Sequence, residues 1–244
     1  MPSQQATGLA DRLIVALDTN DARRARELTI GLRKHCAMVK IGSQFWAAHG
    51  PDGVRALEAN RRLMIDLKWH DIPAQVAGAV LEVLPLEPRL ITVHAAGGRR
   101  MIEAACEAAD AAPRCRPLVL AVAALTSLDH IDRRTLYGAA AAGLMPVLLA
   151  KAAIEAGADG LVCGGGDVRA LRHEFSRIGK PVLIVVPGIR RAGFVDGNDA
   201  DHWRPVTAQE AIAGGADYIV VGRPITAASD PVAAAEAMAM VVPA

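Results

Sequence analysis

Short apolar runs rich in β-branched residues recur along the chain, alternating with longer, alanine-rich stretches of helical character. Eight runs stand out, at 13–17, 38–41, 63–67, 90–93, 118–125, 160–163, 182–186 and 218–221, and each has the length of a strand buried on both faces. Between them the spacing predicts helices at 21–34, 74–84, 99–109, 144–156 and 207–214. Such alternation belongs to a parallel sheet wrapped in helices. Eight units in 244 residues predict an α/β fold of the closed (β/α)8 or TIM-barrel kind, a single domain over 1–244, although an open doubly wound sheet shares the same periodicity. No run approaches the roughly 18 apolar residues of a membrane span.

The polar residue that closes a run says more than the run itself. Asp18, Lys40, Asp66 with Lys68, His94, Thr126 and the Gly222-Arg223 pair each follow an apolar run. In a parallel barrel these carboxyl ends emerge on one face, where barrel enzymes place their active sites. Within the third run, alternation puts Asp66 and Lys68 on the same side, and Asp71 follows where the chain turns away. Lys40, closing the neighbouring second run, extends the row into alternating negative and positive groups. A salt-bridge network that merely closes the barrel would use the same residues, so the spacing leaves a catalytic and a structural reading open.

PGIR (187–190) follows the seventh run and GRP (222–224) the eighth, the two positions that frequently build a phosphate site in barrels. Their glycines let backbone N–H groups approach an anion, Arg223 offers a bidentate contact, and Pro224 suits the first turn of a short helix. A ligand-free turn is the plainer alternative. The longest aperiodic stretch, PGIRRAGFVDGNDADHWRP over 187–205, reads either as a lid on the phosphate side or as a surface insertion.

Composition narrows the chemistry. A hydrophobic fraction of 52% excludes a largely disordered chain, and 27 Lys and Arg against 26 Asp and Glu argue against broad capture of nucleic acid or anionic membrane. Any anion is therefore bound locally. Aromatic residues make up 3%, which leaves few platforms for stacking bases. Cys36, Cys106, Cys115 and Cys163 show no CxxC spacing, and MPSQQATGLADR has no signal-peptide pattern, so a reduced, cytoplasmic setting and small-molecule chemistry are expected.

LIVALD (13–18), VKIG (39–42), DLKWHDIP (66–73), VHAAGG (93–98), LTS (125–127), PGIR (187–190) and VGRPIT (221–226) occur in an order that resembles the orotidine 5'-phosphate decarboxylase family from about residue 13 to the end of the eighth unit. The D-x-K-x-x-D string is shared with related metal-dependent sugar-phosphate decarboxylases and synthases, and its continuation through Ile72-Pro73 separates the two. The resemblance implies a cofactor-free lyase in which Lys68 donates a proton, with Lys40, Asp66 and Asp71 completing a charged array. It further implies that Asp18 and Lys40 contact ribose hydroxyls, Thr126 and Ser127 the nucleoside and pyrimidine, and Arg190, Gly222 and Arg223 the phosphate. A homodimer is implied as well, with Asp71 reaching into the partner's site. Gln75 stands where the family usually has Thr, and His202 where a lid Gln normally grips phosphate.

Two rivals remain at this level. A metal-dependent sugar-phosphate decarboxylase or hexulose-phosphate synthase on the same barrel needs an acidic metal ligand near the end of the second run, where this chain has Lys40. A catalytically silent phosphate-binding barrel fits poorly with an intact Asp66, Lys68 and Asp71.

Overall fold

Period-two alternation along the apolar runs sorts their residues into two cores. Ile14, Ala16, Met38, Met64, Leu90, Leu120, Val122, Val162, Val185 and Val220 form one cluster to which only strands contribute buried residues, the lumen of a barrel. Their sequence neighbours Val15, Val39, Ile65, Ile91, Val119, Leu161, Ile184 and Ile219 face outward and pack with helix residues such as Leu28, Val80 and Ile102. The computed structural model describes residues 9–59, 61–190 and 206–240.

In chain order the elements are β1 (Leu13–Ala16), α1 (Ala22–Gly31), β2 (Met38–Gly42), α2 (Ser43–Ala56), β3 (Leu63–Trp69), α3 (Pro73–Val83), β4 (Leu90–His94), α4 (Arg99–Asp110) and β5 (Leu118–Val122). There follow α5 (His130–Tyr137), α6 (Met145–Glu155), β6 (Gly160–Val162), α7 (Val168–Arg177), β7 (Leu183–Val186), β8 (Ile189–Arg190), β9 (Val206–Thr207), α8 (Ala208–Ala213), β10 (Tyr218–Val221), α9 (Arg223–Thr226) and α10 (Pro231–Met240). Parallel pairing in the order β1-β10-β7-β6-β5-β4-β3-β2 closes the barrel, which decides against the open sheet. Residues β8 and β9 form a separate two-stranded ribbon. No helix among the described residues is long and apolar enough to cross a membrane.

Local chemistry sets the element ends. Asp21 caps α1 by accepting from Arg24 N at 2.9 Å, and Thr207 with Glu210 forms a reciprocal capping box on α8. The fifth run was expected to extend over 118–125, yet β5 stops at Val122. Its neighbour β6 has only three residues, and after Ala123 N donates to Val162 O the chain has no further partner to pair with.

At the amino-terminal end, two acids preceding strands perform the same task. Asp159 accepts from Val119 N at 2.8 Å and Arg116 Nη1 at 2.6 Å, and Asp217 accepts from Ile184 N at 2.7 Å and Arg172 Nη2 at 2.6 Å. Each ties one strand to the next and satisfies an otherwise unpaired amide, a stabilising role suited to the face opposite the barrel's carboxyl ends.

Candidate active site

The alternation that fills the lumen with Met38, Met64 and Leu90 continues two residues further on to Lys40, Asp66 and Thr92. Register places Ala16 opposite Lys40, Lys40 opposite Met64, and Gly42 opposite Asp66, so Lys40 starts two residues short of the level of Asp66 and its long side chain spans the difference. With Thr29, Lys40, Asp66 and Thr92 are the buried polar residues among those described.

Their charges form a continuous row. Lys40 Nζ donates to Asp18 Oδ1 at 3.1 Å and lies 3.5 Å from Asp66 Oδ2, which also accepts from Lys68 Nζ at 3.0 Å. Thr92 Oγ1 donates to Asp66 Oδ1 at 2.9 Å. Burial opposes ionisation of Asp66, but Lys40 and Lys68 together with the hydrogen bonds from Lys68 and Thr92 outweigh it and hold the carboxyl below its ordinary range. Burial likewise opposes the charge on Lys40, and Asp66 and Asp18 overcome it, raising that ammonium above the usual lysine value. The side chain of Lys40 is 9% exposed and that of Lys68 37%, so Lys68 is the cation presented to the open end of the barrel.

The route by which Lys68 reaches this place differs from simple alternation. Between the pairs Ile65–Ile91 and Trp69–Val93 the register shifts, so Asp66, Leu67 and Lys68 on β3 face Thr92 alone on β4. Lys68 sits in this bulge with φ of +51°, a left-handed conformation that costs a non-glycine residue roughly 1–2 kcal/mol. Its amide donates to Thr92 Oγ1 at 2.9 Å in place of a ladder carbonyl. Bulges of this kind redirect a side chain beside a functional site.

The other anticipated residues lie on segments that follow the barrel strands. A β-carbon on Gly222 would lie 4.0 Å from Asp18 Oδ2, which puts the Gly222-Arg223 turn on the same rim as the charged row. Arg223 begins α9 and is exposed, with Pro224 in its first turn. Arg190 ends β8, and its buried Nε has no hydrogen-bond partner among the described residues, as is also true of Arg133 Nε. Thr126 and Ser127 lie in the turn between β5 and α5. Asp71 stands apart from the row: it is exposed, and its Oδ1 accepts from Ile72 N at 2.6 Å. Gln75 is exposed on α3. The expected lid is described only through Arg190, and its remainder, with His202, lies outside the described residues.

His94, at the end of β4, stacks on His70 with ring centroids 5.1 Å apart. Burial, then His70 and Lys68, hold its pKa below the ordinary histidine value, and its Nδ1 accepts from Ala96 N.

Two residues of this site escaped sequence reasoning. Thr92 looks like an ordinary β-branched strand residue, and its period-two position relative to Leu90 was the available signal. Gly42 was visible only as part of VKIG, yet a β-carbon there would stand 3.1 Å from Asp18 Oδ1 and 3.4 Å from Lys40 Nζ.

A half-exposed ammonium held by a buried, ionised carboxylate can stabilise an adjacent carbanion and protonate it. At the end of β2, where the metal-dependent reading needs an acidic ligand, stands the Lys40 ammonium, paired with the Asp18 and Asp66 carboxylates. Comparison with known proteins points the same way. A sequence profile of the Orotidine 5'-phosphate decarboxylase / HUMPS family matches residues 11–238. The chain is 42% identical over 230 residues to orotidine 5'-phosphate decarboxylase of Gluconobacter oxydans, covering 93% of this chain and 95% of that one. It is 43% identical over 238 residues to the enzyme of the same name from Moorella thermoacetica, covering 94% and 91%. The crystal structure of orotidine 5'-phosphate decarboxylase from Lactobacillus acidophilus superposes with a TM-score of 0.79 at 34% identity, covering 96% of this chain and 99% of that one.

Proposed function

The chain belongs to the orotidine 5'-phosphate decarboxylase / HUMPS family and converts orotidine 5'-phosphate to uridine 5'-monophosphate in pyrimidine synthesis, and we propose that the row Asp18–Lys40–Asp66–Lys68 carries out this step without a cofactor. In the reaction the bond from C6 of the pyrimidine to its carboxylate breaks, CO2 leaves, and the electron pair stays on C6 in an orbital that cannot delocalise into the ring carbonyls. Lys68 faces that carbon as an ammonium, offsets the developing charge and then transfers its proton to C6, becoming a neutral amine. Asp66, kept ionised by Lys40 and Lys68, holds the ammonium in place. The single observation that carries this reading is the 3.0 Å contact between Lys68 Nζ and Asp66 Oδ2, itself backed by buried Lys40.

One ammonium does not account for the whole effect. A unit charge pair about 4 Å apart is worth about 4 kcal/mol at an effective dielectric of about 20, against the roughly 8–23 kcal/mol by which enzymes lower barriers. Binding of the remote phosphate supplies more, by fixing the reacting carbon against Lys68. Arg190, Gly222 and Arg223 are the residues proposed for the phosphate; the place of Gly222 beside Asp18 supports the turn, and a buried Nε without a partner among the described residues supports Arg190. Asp18 and Lys40 are proposed to hold the ribose hydroxyls, and Thr126 and Ser127 the nucleoside and pyrimidine.

The proposal extends to a homodimer in which Asp71 enters the partner's site. Its support is that Asp71 makes no ion pair in its own row and adjoins Ile72, which is 64% exposed, with Leu81 also exposed on α3. Large apolar side chains left open beside a charged group suit an isologous contact. Cytoplasmic residence belongs to the same reading, supported by four free thiols.

The test follows the fall in orotidine 5'-phosphate absorbance with purified protein, with and without EDTA, for wild type and Lys68→Ala. Wild type should be active and indifferent to chelator, and Lys68→Ala should fold but lose at least about 1,000-fold in kcat. Chelator-sensitive turnover would restore the metal-dependent rival, and substantial activity in Lys68→Ala would remove the proposed acid.

A further inference from the structure

The hydroxyl of Thr92 joins the two functional residues of β3 without itself facing the open end of the barrel. It donates to Asp66 Oδ1 and accepts from the amide of Lys68, both at 2.9 Å, and the residue is 0% exposed. These two bonds use different parts of one group: the single O–H points to the carboxylate, and a lone pair receives the amide. Because Asp66, Leu67 and Lys68 face only Thr92 across the register shift, the β4 backbone offers no second residue for the bulge to pair with. The side chain of Thr92 takes the place of the missing ladder acceptor.

We propose that Thr92 is a positioning residue for the decarboxylation: its hydroxyl locks the left-handed bulge that aims Lys68 and fixes the face of Asp66 on which the ammonium rests. The inference rests on the reading of Lys68 as proton donor. Two facts make a purely structural role an insufficient account. The bulge is strained at Lys68, where φ is +51°, so without the amide acceptor the backbone has a lower-energy extended alternative. At full burial no water can replace the hydroxyl, so losing it leaves the Lys68 amide and Asp66 Oδ1 unsatisfied together, and relaxation of the bulge is the way to relieve both. That relaxation carries the lysine off its line to the reacting carbon. The phosphate-side residues Gly222 and Arg223 lie on another loop and are untouched by it.

A defect in aim is distinguishable from a defect in folding by where it falls in the kinetics. Thr92→Val keeps the shape of the side chain and removes the hydroxyl; Thr92→Ser keeps the hydroxyl and removes a methyl. For Thr92→Val, kcat should fall at least about 100-fold, while KM and the affinity for uridine 5'-monophosphate stay within about threefold of wild type. Thr92→Ser should remain within about fivefold of wild type in kcat. Three results would overturn the proposal: a Thr92→Val enzyme within threefold of wild-type kcat, a Thr92→Ser enzyme as impaired as Thr92→Val, or a loss of uridine 5'-monophosphate affinity in proportion to kcat. Should Thr92→Val fail to fold, Thr92→Cys replaces it, with a thiol that donates and accepts weakly; a drop of at least about tenfold in kcat is then expected and wild-type kcat refutes the idea. Lys68→Met run in parallel separates the two levels. If Lys68→Met is inactive and Thr92→Val fully active, the role of Thr92 alone is wrong; if Lys68→Met retains turnover, the proton-donor reading fails first.

Discussion

Asp66 shows how much of this site is an electrostatic balance at one carboxyl. Burial penalises its charge, and two ammonium groups and two hydrogen bonds reverse the penalty, leaving its folded pKa below the ordinary value of 3.8. Lys40 is the mirror case, raised above 10.5 because its carboxylate neighbours outweigh burial. The signs fix a pH dependence. A depressed acid contributes stability above its unfolded pKa and loses it as pH falls through the folded value; a raised base contributes below its unfolded pKa and loses it as pH rises through the folded value. The stability difference between wild type and Asp66→Asn, measured by denaturant unfolding, should therefore be level between about pH 5 and pH 9 and shrink on both sides. A difference that grows on acidification would contradict the assignment of Asp66 as a paired, ionised group.

At the scale of elements, β2 and β3 divide the labour. The bulge in β3 supplies reach, and β2 supplies close approach through Gly42, whose φ of −113° any residue can adopt. Glycine leaves space there: a β-carbon would sit 3.1 Å from Asp18 Oδ1, close enough to displace that carboxylate. Asp18, with its side chain 57% exposed, can swing aside, whereas buried Lys40 has little room to do so. Gly42→Ala is expected to fold normally and to separate Asp18 from Lys40, raising KM for orotidine 5'-phosphate about tenfold with a smaller effect on the unfolding midpoint. An unchanged KM would mean that the Asp18–Lys40 contact does not serve the substrate. The turn after β10 is less constrained, since a β-carbon on Gly222 would meet Ala16 and Asp18 only at ordinary contact distances of 3.7–4.0 Å.

For the whole molecule, the residue at issue is Asp71, which is exposed and accepts from Ile72 N, outside the charged row. Asp71→Asn and Lys68→Ala should each be inactive alone. If Asp71 acts across a two-fold interface, mixing them with subunit exchange restores activity to about a quarter of wild type, because half the dimers are mixed and each holds one intact site. No recovery despite proven exchange would confine Asp71 to its own subunit. The same barrel keeps its stabilising clamps, Asp159–Arg116 and Asp217–Arg172, at the opposite end from this chemistry, so the two can vary independently.

The apolar runs by themselves determined a parallel sheet wrapped in helices, because a strand buried on both faces must be continuously apolar; that the sheet closes into a barrel was decided by the pairing of β1 with β10. They also placed Asp18, Lys40, Asp66, Lys68 and Gly222-Arg223 on one rim, since every parallel strand ends on the same side. What the tertiary structure alone decided is how those groups meet. The bulge at Lys68 exists because β3 carries three residues where β4 carries one, a property of two strands in register that neither run contains. Thr92 gains its role only when that mismatch removes a backbone acceptor, and Gly42 only when Asp18 and Lys40 converge above it. Periodicity is local and survives in the sequence; a hydrogen bond across 24 residues depends on the path that brings its ends together.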